Sequence, residues 1–186
     1  MSASKYDDFL VKADKEVDNF LTWLKSLFRP NLIVPTIHDI DFKKLKSRGI
    51  NALILDIDDT LIPRGVHDIT PLVLEWVVAR KEEGFKLCLA SNSRHPMRVK
   101  YIGRTLGVPA MSLGFKPLPF AFWNSLKILG TKPEETAMIG DQLFMDILGA
   151  NVVKLYSIYV KHMTKETIFF RKWMRRAEDL ALKKFK

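Results

Sequence analysis

The chain has 186 residues, with 30 lysines and arginines against 21 aspartates and glutamates, for a formal charge of +9. A hydrophobic share of 47% and an aromatic share of 11% supply an ordinary core and exclude disorder throughout, and the length suits one domain of about 150 residues with additions at its ends. No apolar run approaches the roughly 18 residues that cross a bilayer, and the lone Cys88 excludes a disulfide framework or a thiolate zinc cluster and fits a reducing compartment.

Asp7, Asp8, Asp14, Glu16 and Asp18 stand where a secretory signal would need basic and then apolar residues, so no such signal is expected. The spacing of Leu10, Ala13, Val17, Phe20, Leu21, Leu24, Leu27 and Phe28 predicts an amphipathic helix from Phe9 to Phe28, stopped by Arg29-Pro30. Acids mix with its lysines, which favours core packing or a partner interface. A connector follows, with a short helix near Asp41–Ser47. The apolar run Ala52–Asp58 reads as a strand buried on both faces. Thr70-Pro71 opens a helix that Gly84 closes. Then come a strand at Phe85–Ser91, a helix at Pro96–Leu106, a strand at Val108–Leu113 and a helix at Pro119–Leu129 ended by Gly130. A strand at Thr136–Gly140, a helix at Leu143–Leu148 and a strand at Val153–Val160 complete the alternation. Such alternation means right-handed βαβ units around a parallel sheet. Thr164 to Phe185 reads as a last helix, with Phe169, Trp173, Ala177, Leu180 and Leu182 on one side. Lys165, Arg171, Lys172, Arg175, Arg176, Lys183 and Lys184 occupy the other.

Charge follows this division. Residues 1–48 carry a net +2, residues 49–153 hold 11 acids and 11 bases, and residues 154–186 carry 10 bases against 3 acids. The middle is therefore neutral, and the tail holds most of the excess. His38, His67, His95 and His162 show no metal-ligand spacing. Cys88 reads as core, and His95 as a helix-start surface residue.

Ligands of open parallel α/β sheets bind beyond the carboxyl ends of the strands. The first predicted strand ends in Asp56-Ile57-Asp58-Asp59-Thr60 and the second in Ser91-Asn92-Ser93. Lys116-Pro117 follows the third, and the fourth ends in Gly140-Asp141 with Asp146 a turn further on. Clustered acids repel one another unless a cation neutralises them, and all-oxygen ligands beside a phosphate suit Mg²⁺. An aspartate can attack phosphorus through an aspartyl-phosphate, with the lysine and the hydroxyl holding phosphoryl oxygens.

This ordered set, D-x-D-x-T followed by S, K and G-D-x-x-x-x-D, resembles the haloacid dehalogenase superfamily over about Ile50 to Val160. The resemblance implies a three-layer Rossmann-like α/β sandwich with a central parallel sheet. By it, Asp56 is the nucleophile and Asp58 the general acid and base. Ser91, Asn92 and Lys116 bind phosphate, while Asp56, the Asp58 backbone carbonyl and Asp141 ligate Mg²⁺. Thr60 supports the site, and Asp146 orients Lys116 or binds the ion through water.

Superfamily members usually carry a cap domain after the first or second motif. The intervals Asp58 to Ser91 and Ser91 to Lys116 are too short for one, so the expected site is open and suits large or surface-held substrates. Arg64 in the following turn is a candidate substrate contact, a solvated arginine being the alternative. The tail pattern is that of a segment lying in an anionic membrane interface, or else of a helix packed on the sheet with its bases in solvent. The segments DIDFKKLKSRG, ALILDIDDTL, SNS, KPLPFAF and PEETAMIGDQLFMDILGAN are together similar to the capless phosphatidylglycerophosphate phosphatases from about Leu32 onward. Val152-Val153-Lys154 departs from that pattern, and the first 30 residues look like an addition to it.

The expected organisation is a helix and connector at 1–48, the catalytic core at 49–160 and a basic helix at 161–186. The expected activity is Mg²⁺-dependent hydrolysis of phosphatidylglycerophosphate to phosphatidylglycerol, by a protein peripherally bound to a membrane from the cytoplasm or an organellar matrix. Partners would be the phospholipid, an anionic surface met by residues 164–186, and a protein or second copy at the N-terminal helix, with no nucleic acid. A phosphatase of soluble metabolites, phosphoproteins or nucleic-acid ends stays open as an alternative, as does a non-catalytic scaffold.

Overall fold

A computed structural model describes residues 3–164 and 169–183. Helix α1 (Ala3–Leu27) leads to strand β1 (Leu32–Val34) and helix α2 (Phe42–Ser47), followed by β2 (Ala52–Leu55), α3 (Pro71–Glu82), β3 (Lys86–Ala90), α4 (Pro96–Leu106), β4 (Ala110–Met111) and α5 (Pro119–Leu129). The chain continues through β5 (Thr136–Gly140), a π-helical turn (Leu143–Ile147), α6 (Leu148–Val152), β6 (Tyr156–Val160) and α7 (Phe169–Lys183). Six strands form one sheet in the order β1-β6-β5-β2-β3-β4, every pair parallel. This is the expected α/β sandwich.

The central strands β2 and β5 are buried throughout because helices cover both faces. One face packs Leu53, Leu55, Val77, Leu89 and Ile102 under α2, α3 and α4, and the other packs Ile54, Ala90, Phe122, Leu126 and Met138 under α5 and α6. Local signals act where expected: the Thr70 hydroxyl accepts from the Val73 N–H, and Gly107 and Gly130 end their helices at φ 62° and 61°. Cys88 is a core residue of β3, where burial pushes its thiol up to about 12 against the opposing pull of a hydrogen bond with Ser125.

Several elements differ from the sequence reading. Strand β1, read there as connector, pairs with β6, and Asn31 secures it by accepting the Ser157 N–H at 2.8 Å on its side-chain oxygen. Phe42 and Leu45 of α2 also lie in the core, so residues 32–48 pack with the sheet. Strand β4 is cut to two residues because Leu113 turns into the left-handed region. Strand β6 starts at Tyr156 because Lys154, at φ 63°, closes a turn.

Helix α1 is not core-packed over its described side chains: Val17, Phe20, Leu21, Trp23 and Leu24 face solvent. Only its end is secured, by the Asn151 amide donating to the Leu27 and Arg29 carbonyls at 2.7 and 3.0 Å. On α7, Leu182 packs against the body and Glu178 is buried, while Lys172, Trp173, Arg176 and Leu180 are exposed. Lys165 and Lys184 lie outside the described residues.

Gly149 of α6 sits where a Cβ would overlap the ring of the fully buried Phe122. Gly149→Ala is expected to destabilise the protein by about 1–3 kcal/mol, read as a fall in Tm of several degrees. An unchanged melting temperature would show that this helix–helix contact is loose.

Candidate active site

The carboxyl ends of β2, β3 and β5 and the loop after β4 deliver the predicted residues to one place. Asp56 follows β2 directly, its N–H bonded to the Ile139 carbonyl of β5 at 2.9 Å. Lys116 Nζ lies 2.6 Å from Asp56 Oδ1, in a hydrogen bond, and 2.6 Å from Asp146 Oδ1, in an ion pair. All three side chains are buried. Asp146 reaches this position from the π-helical turn, a local insertion that recurs at functional sites, and its other oxygen accepts the Gln142 N–H at 3.0 Å. Gly140 makes the space: a Cβ there would overlap the Asp146 carboxylate.

Oxygens of Asp56, Asp141 and Asp146 can lie within 4.8 Å of one another, and all three residues are buried. Asp56 Oδ2 is buried with no hydrogen-bond partner among the described residues. An all-oxygen, anionic, shielded donor set with an unspent oxygen fits a hard divalent cation. The Asp58 side chain stands outside this set, so a ligand role for Asp58 falls to its main chain.

Burial is the largest influence on Asp56 and raises its pKa; Lys116 pulls the other way, Asp146 adds to the rise, and the outcome is about 6. Burial also works against the Lys116 charge, but Asp146 and Asp56 outweigh it and hold the ammonium protonated.

The side chain of Asp58 is turned to Arg98 of α4, which grips it through two nitrogens at 2.8 and 3.2 Å and also donates to the Val66 carbonyl. Arg98 is buried and went unrecognised in the sequence, since 40 residues separate the pair and neither carries a local motif. Asp59 adopts φ 65° and accepts from Arg64 Nε at 3.0 Å and from the Thr164 hydroxyl at 2.6 Å. Burial opposes its charge, but Thr164 and Arg64 hold its carboxyl below the usual range. Arg64 is therefore not free: half-buried, it lines the cleft while paired to Asp59.

Ser91 is buried at the end of β3, its hydroxyl accepting from the Ser93 N–H. Asn92 clamps the Lys116 main chain in both directions, at 2.8 and 2.9 Å, so its side chain positions the lysine. Thr60 is buried, its hydroxyl without a hydrogen bond among the described residues.

Asp56, Asp58, Ser91, Asn92 and Lys116 line a cleft of about 730 Å³. Only a loop, α3 and β3 lie between Asp58 and Ser91, and only α4 and β4 between Ser91 and Lys116, so no cap is inserted. Instead Met174 and Glu178 of α7 form part of the wall, with Glu178 accepting the Phe144 N–H at 3.3 Å. An acid within a dense basic segment was the one sequence signal of this inward face. His95, at the start of α4, is exposed as expected and also lines the cleft.

Comparison with known proteins agrees with this architecture. Residues 69–153 match a model of haloacid dehalogenase-like hydrolases, and residues 11–101 match a model of mitochondrial PGP phosphatases, PGP being phosphatidylglycerophosphate. The second match begins inside α1, so the first 30 residues are not an addition as a whole. The chain is 33% identical to the probable phosphatase YqeG of Bacillus subtilis over 88% of its own length and 94% of that protein. It is 29% identical to the mitochondrial phosphatidylglycerophosphatase GEP4 of Saccharomyces cerevisiae, over 78% and 84%. An uncharacterized protein from Listeria monocytogenes shares the fold, with a TM-score of 0.50 and 22% identity over 64% of this chain and 85% of that one.

Because Asp56 titrates at about 6, a divalent cation must displace a proton from it in acid. Cation affinity is expected to fall about tenfold per pH unit below that value and to level off above it. Calorimetric titrations between pH 5 and 8 check this, and an affinity flat across that range would contradict it.

Proposed function

Because this chain belongs to the haloacid dehalogenase-like hydrolases and is a phosphatase, we propose that it converts phosphatidylglycerophosphate to phosphatidylglycerol at a membrane surface. The observation that carries the substrate is the family match from α1 through α4, which takes in the whole nucleophile loop. The geometry supports it: the cleft has no cap, and Arg64, Arg94, Arg98 and Lys116 line it, as suits an anionic headgroup that remains embedded in a bilayer.

Asp56 attacks phosphorus through its unspent oxygen, and the bond from phosphorus to the glycerol oxygen breaks. Asp58, aimed by Arg98, gives that oxygen its proton. Asp58 then takes a proton from water as the water attacks the aspartyl-phosphate, releasing inorganic phosphate and restoring Asp56. Lys116 and Ser91 hold the phosphoryl oxygens where negative charge collects. Asp56, Asp141 and the Asp58 carbonyl suit Mg²⁺, with Asp146 behind them; when bound, the ion neutralises the carboxylates and the phosphoryl oxygens.

The outer side of α7 supports attachment to an anionic leaflet, since Lys172 and Arg176 flank exposed Trp173 while Met174 and Glu178 look into the cleft. Each basic residue near such a surface contributes about 1 kcal/mol. The exposed apolar face of α1 is left for a protein partner or a second copy. The protein works from the cytoplasm or an organellar matrix.

Asp56→Asn is expected to lower phosphate release from phosphatidylglycerophosphate in anionic liposomes by on the order of 10³-fold or more, with the circular dichroism spectrum unchanged. Near-normal turnover would remove the covalent mechanism. Wild-type activity on soluble phosphomonoesters alone would replace the lipid with a soluble substrate. Neutralising Arg171, Lys172, Arg175 and Arg176 together is expected to reduce liposome sedimentation and to make what remains less salt-sensitive. Unchanged sedimentation would rule out the tether.

A further inference from the structure

Beside the catalytic cleft lies a smaller, mostly apolar groove of about 380 Å³. Leu113, Phe115, Pro117, Leu118 and Met145 form its walls, and it shares Asn92, Arg94, Lys116 and Met145 with the cleft. The two hollows therefore adjoin. One end is the lysine that faces the nucleophile, and the other is hydrocarbon.

The rim of this groove is built against local preference. Leu113 and Phe115 sit at φ 51° and 50°, the left-handed region that bulky side chains avoid, and they persist there only because their surroundings dictate it. The Gly114 N–H donates to the Ser91 carbonyl and the Lys116 N–H to the Asn92 side chain, so the loop is tied down on both sides. The result is that Phe115 and Leu118 stand 56% and 50% exposed at the mouth of the site. Phe120 lies beside Phe115, ring centroids 6.1 Å apart, and Trp123 continues the patch along α5. A contiguous apolar surface of this kind marks an interaction site.

Arg94 stands at the junction of the two hollows, exposed and without an ion pair among the described residues. A phospholipid bearing a terminal monoester has a diester phosphate between that group and its acyl chains, and Lys116, Arg94 and the apolar walls supply a partner for each of the three parts. The side chains of Leu113, Phe115, Pro117, Leu118 and Met145 offer no donor or strong acceptor to a peptide backbone, which disfavours a bound protein segment.

We propose that this groove receives the acyl-bearing side of the phospholipid substrate, with the 113–118 loop entering the bilayer surface. The inference rests on the lipid reading of the site and adds to it the route by which the headgroup reaches Asp56. It also puts a membrane contact on the catalytic face itself, separate from the basic residues of α7.

The test compares vesicles of phosphatidylglycerophosphate in phosphatidylcholine with the same headgroup freed of its acyl chains, using the full chain. Leu113→Asn with Phe115→Asn is the informative variant, since asparagine accepts a left-handed φ and the backbone is retained. Leu118→Ser is a second, away from the positive-φ positions. Removing the burial of a leucine or a phenylalanine is worth about tenfold or more, so each variant is expected to lower the ratio of vesicle to headgroup turnover by at least about tenfold. An unchanged ratio in an active enzyme overturns the groove and leaves the substrate standing, and an equal fall in both activities overturns it too, by assigning the loop to the chemistry. If the wild type turns over neither form, the substrate reading fails, and vesicle sedimentation at high salt decides the groove. Binding lost in the variants supports it, and binding unchanged or absent in the wild type overturns it.

Discussion

Lys116 carries a positive charge into a site that water scarcely reaches, and it is tolerated there because Asp56 and Asp146 each stand 2.6 Å from its nitrogen. Much of the surrounding architecture serves that arrangement. The strand order puts β2 between β3 and β5, so the ends carrying Asp56, Ser91 and Asp141 meet. Gly140 leaves room for the Asp146 carboxylate, the π-helical turn brings it inward, and Asn92 fixes the lysine's main chain. With three acids against one base, the cluster keeps a surplus of negative charge for a cation and an oxygen of Asp56 for the chemistry.

The second constraint is the missing cap. A phosphatase of this kind must still exclude bulk water and select its substrate, and here the C-terminal helix takes part, walling the cleft with Met174 and Glu178. The element that looked in sequence like an appendage for a membrane is thus also part of the site. Its two sides differ, with Met174 and Glu178 inward and Lys172, Trp173 and Arg176 outward. The neutral body and the basic tail are joined at Asp59, in the loop after β2, which accepts the Thr164 hydroxyl.

The alternation of helix and strand was legible because apolar runs, proline starts and glycine ends are local signals, as at Thr70-Pro71 and Gly130. The site was legible where chemistry follows chain order, strand end by strand end. What escaped depends on contacts remote in sequence or on backbone states without a local code. Arg98 meets Asp58 across 40 residues, and Asn92 turns its side chain to Lys116 across 24. Leu113 and Phe115 take positive φ although neither is a residue type that favours it, so the strand read through 113 ends at Met111. Strand β1 was missed because three residues are too short for a period to show.

Cys88 draws a boundary of a different kind. Buried in β3, its thiol stays neutral far above physiological pH, and no other sulfhydryl exists in the chain. Soft ions such as cadmium or mercury seek thiolates and find none on offer, while the carboxylate cluster prefers hard ions. Peroxide likewise attacks thiolates, so the neutral, buried Cys88 is a poor target, and the buried carboxylate cluster offers it nothing to oxidise. A site built from carboxylates and a lysine thus stands outside the reach of thiol chemistry.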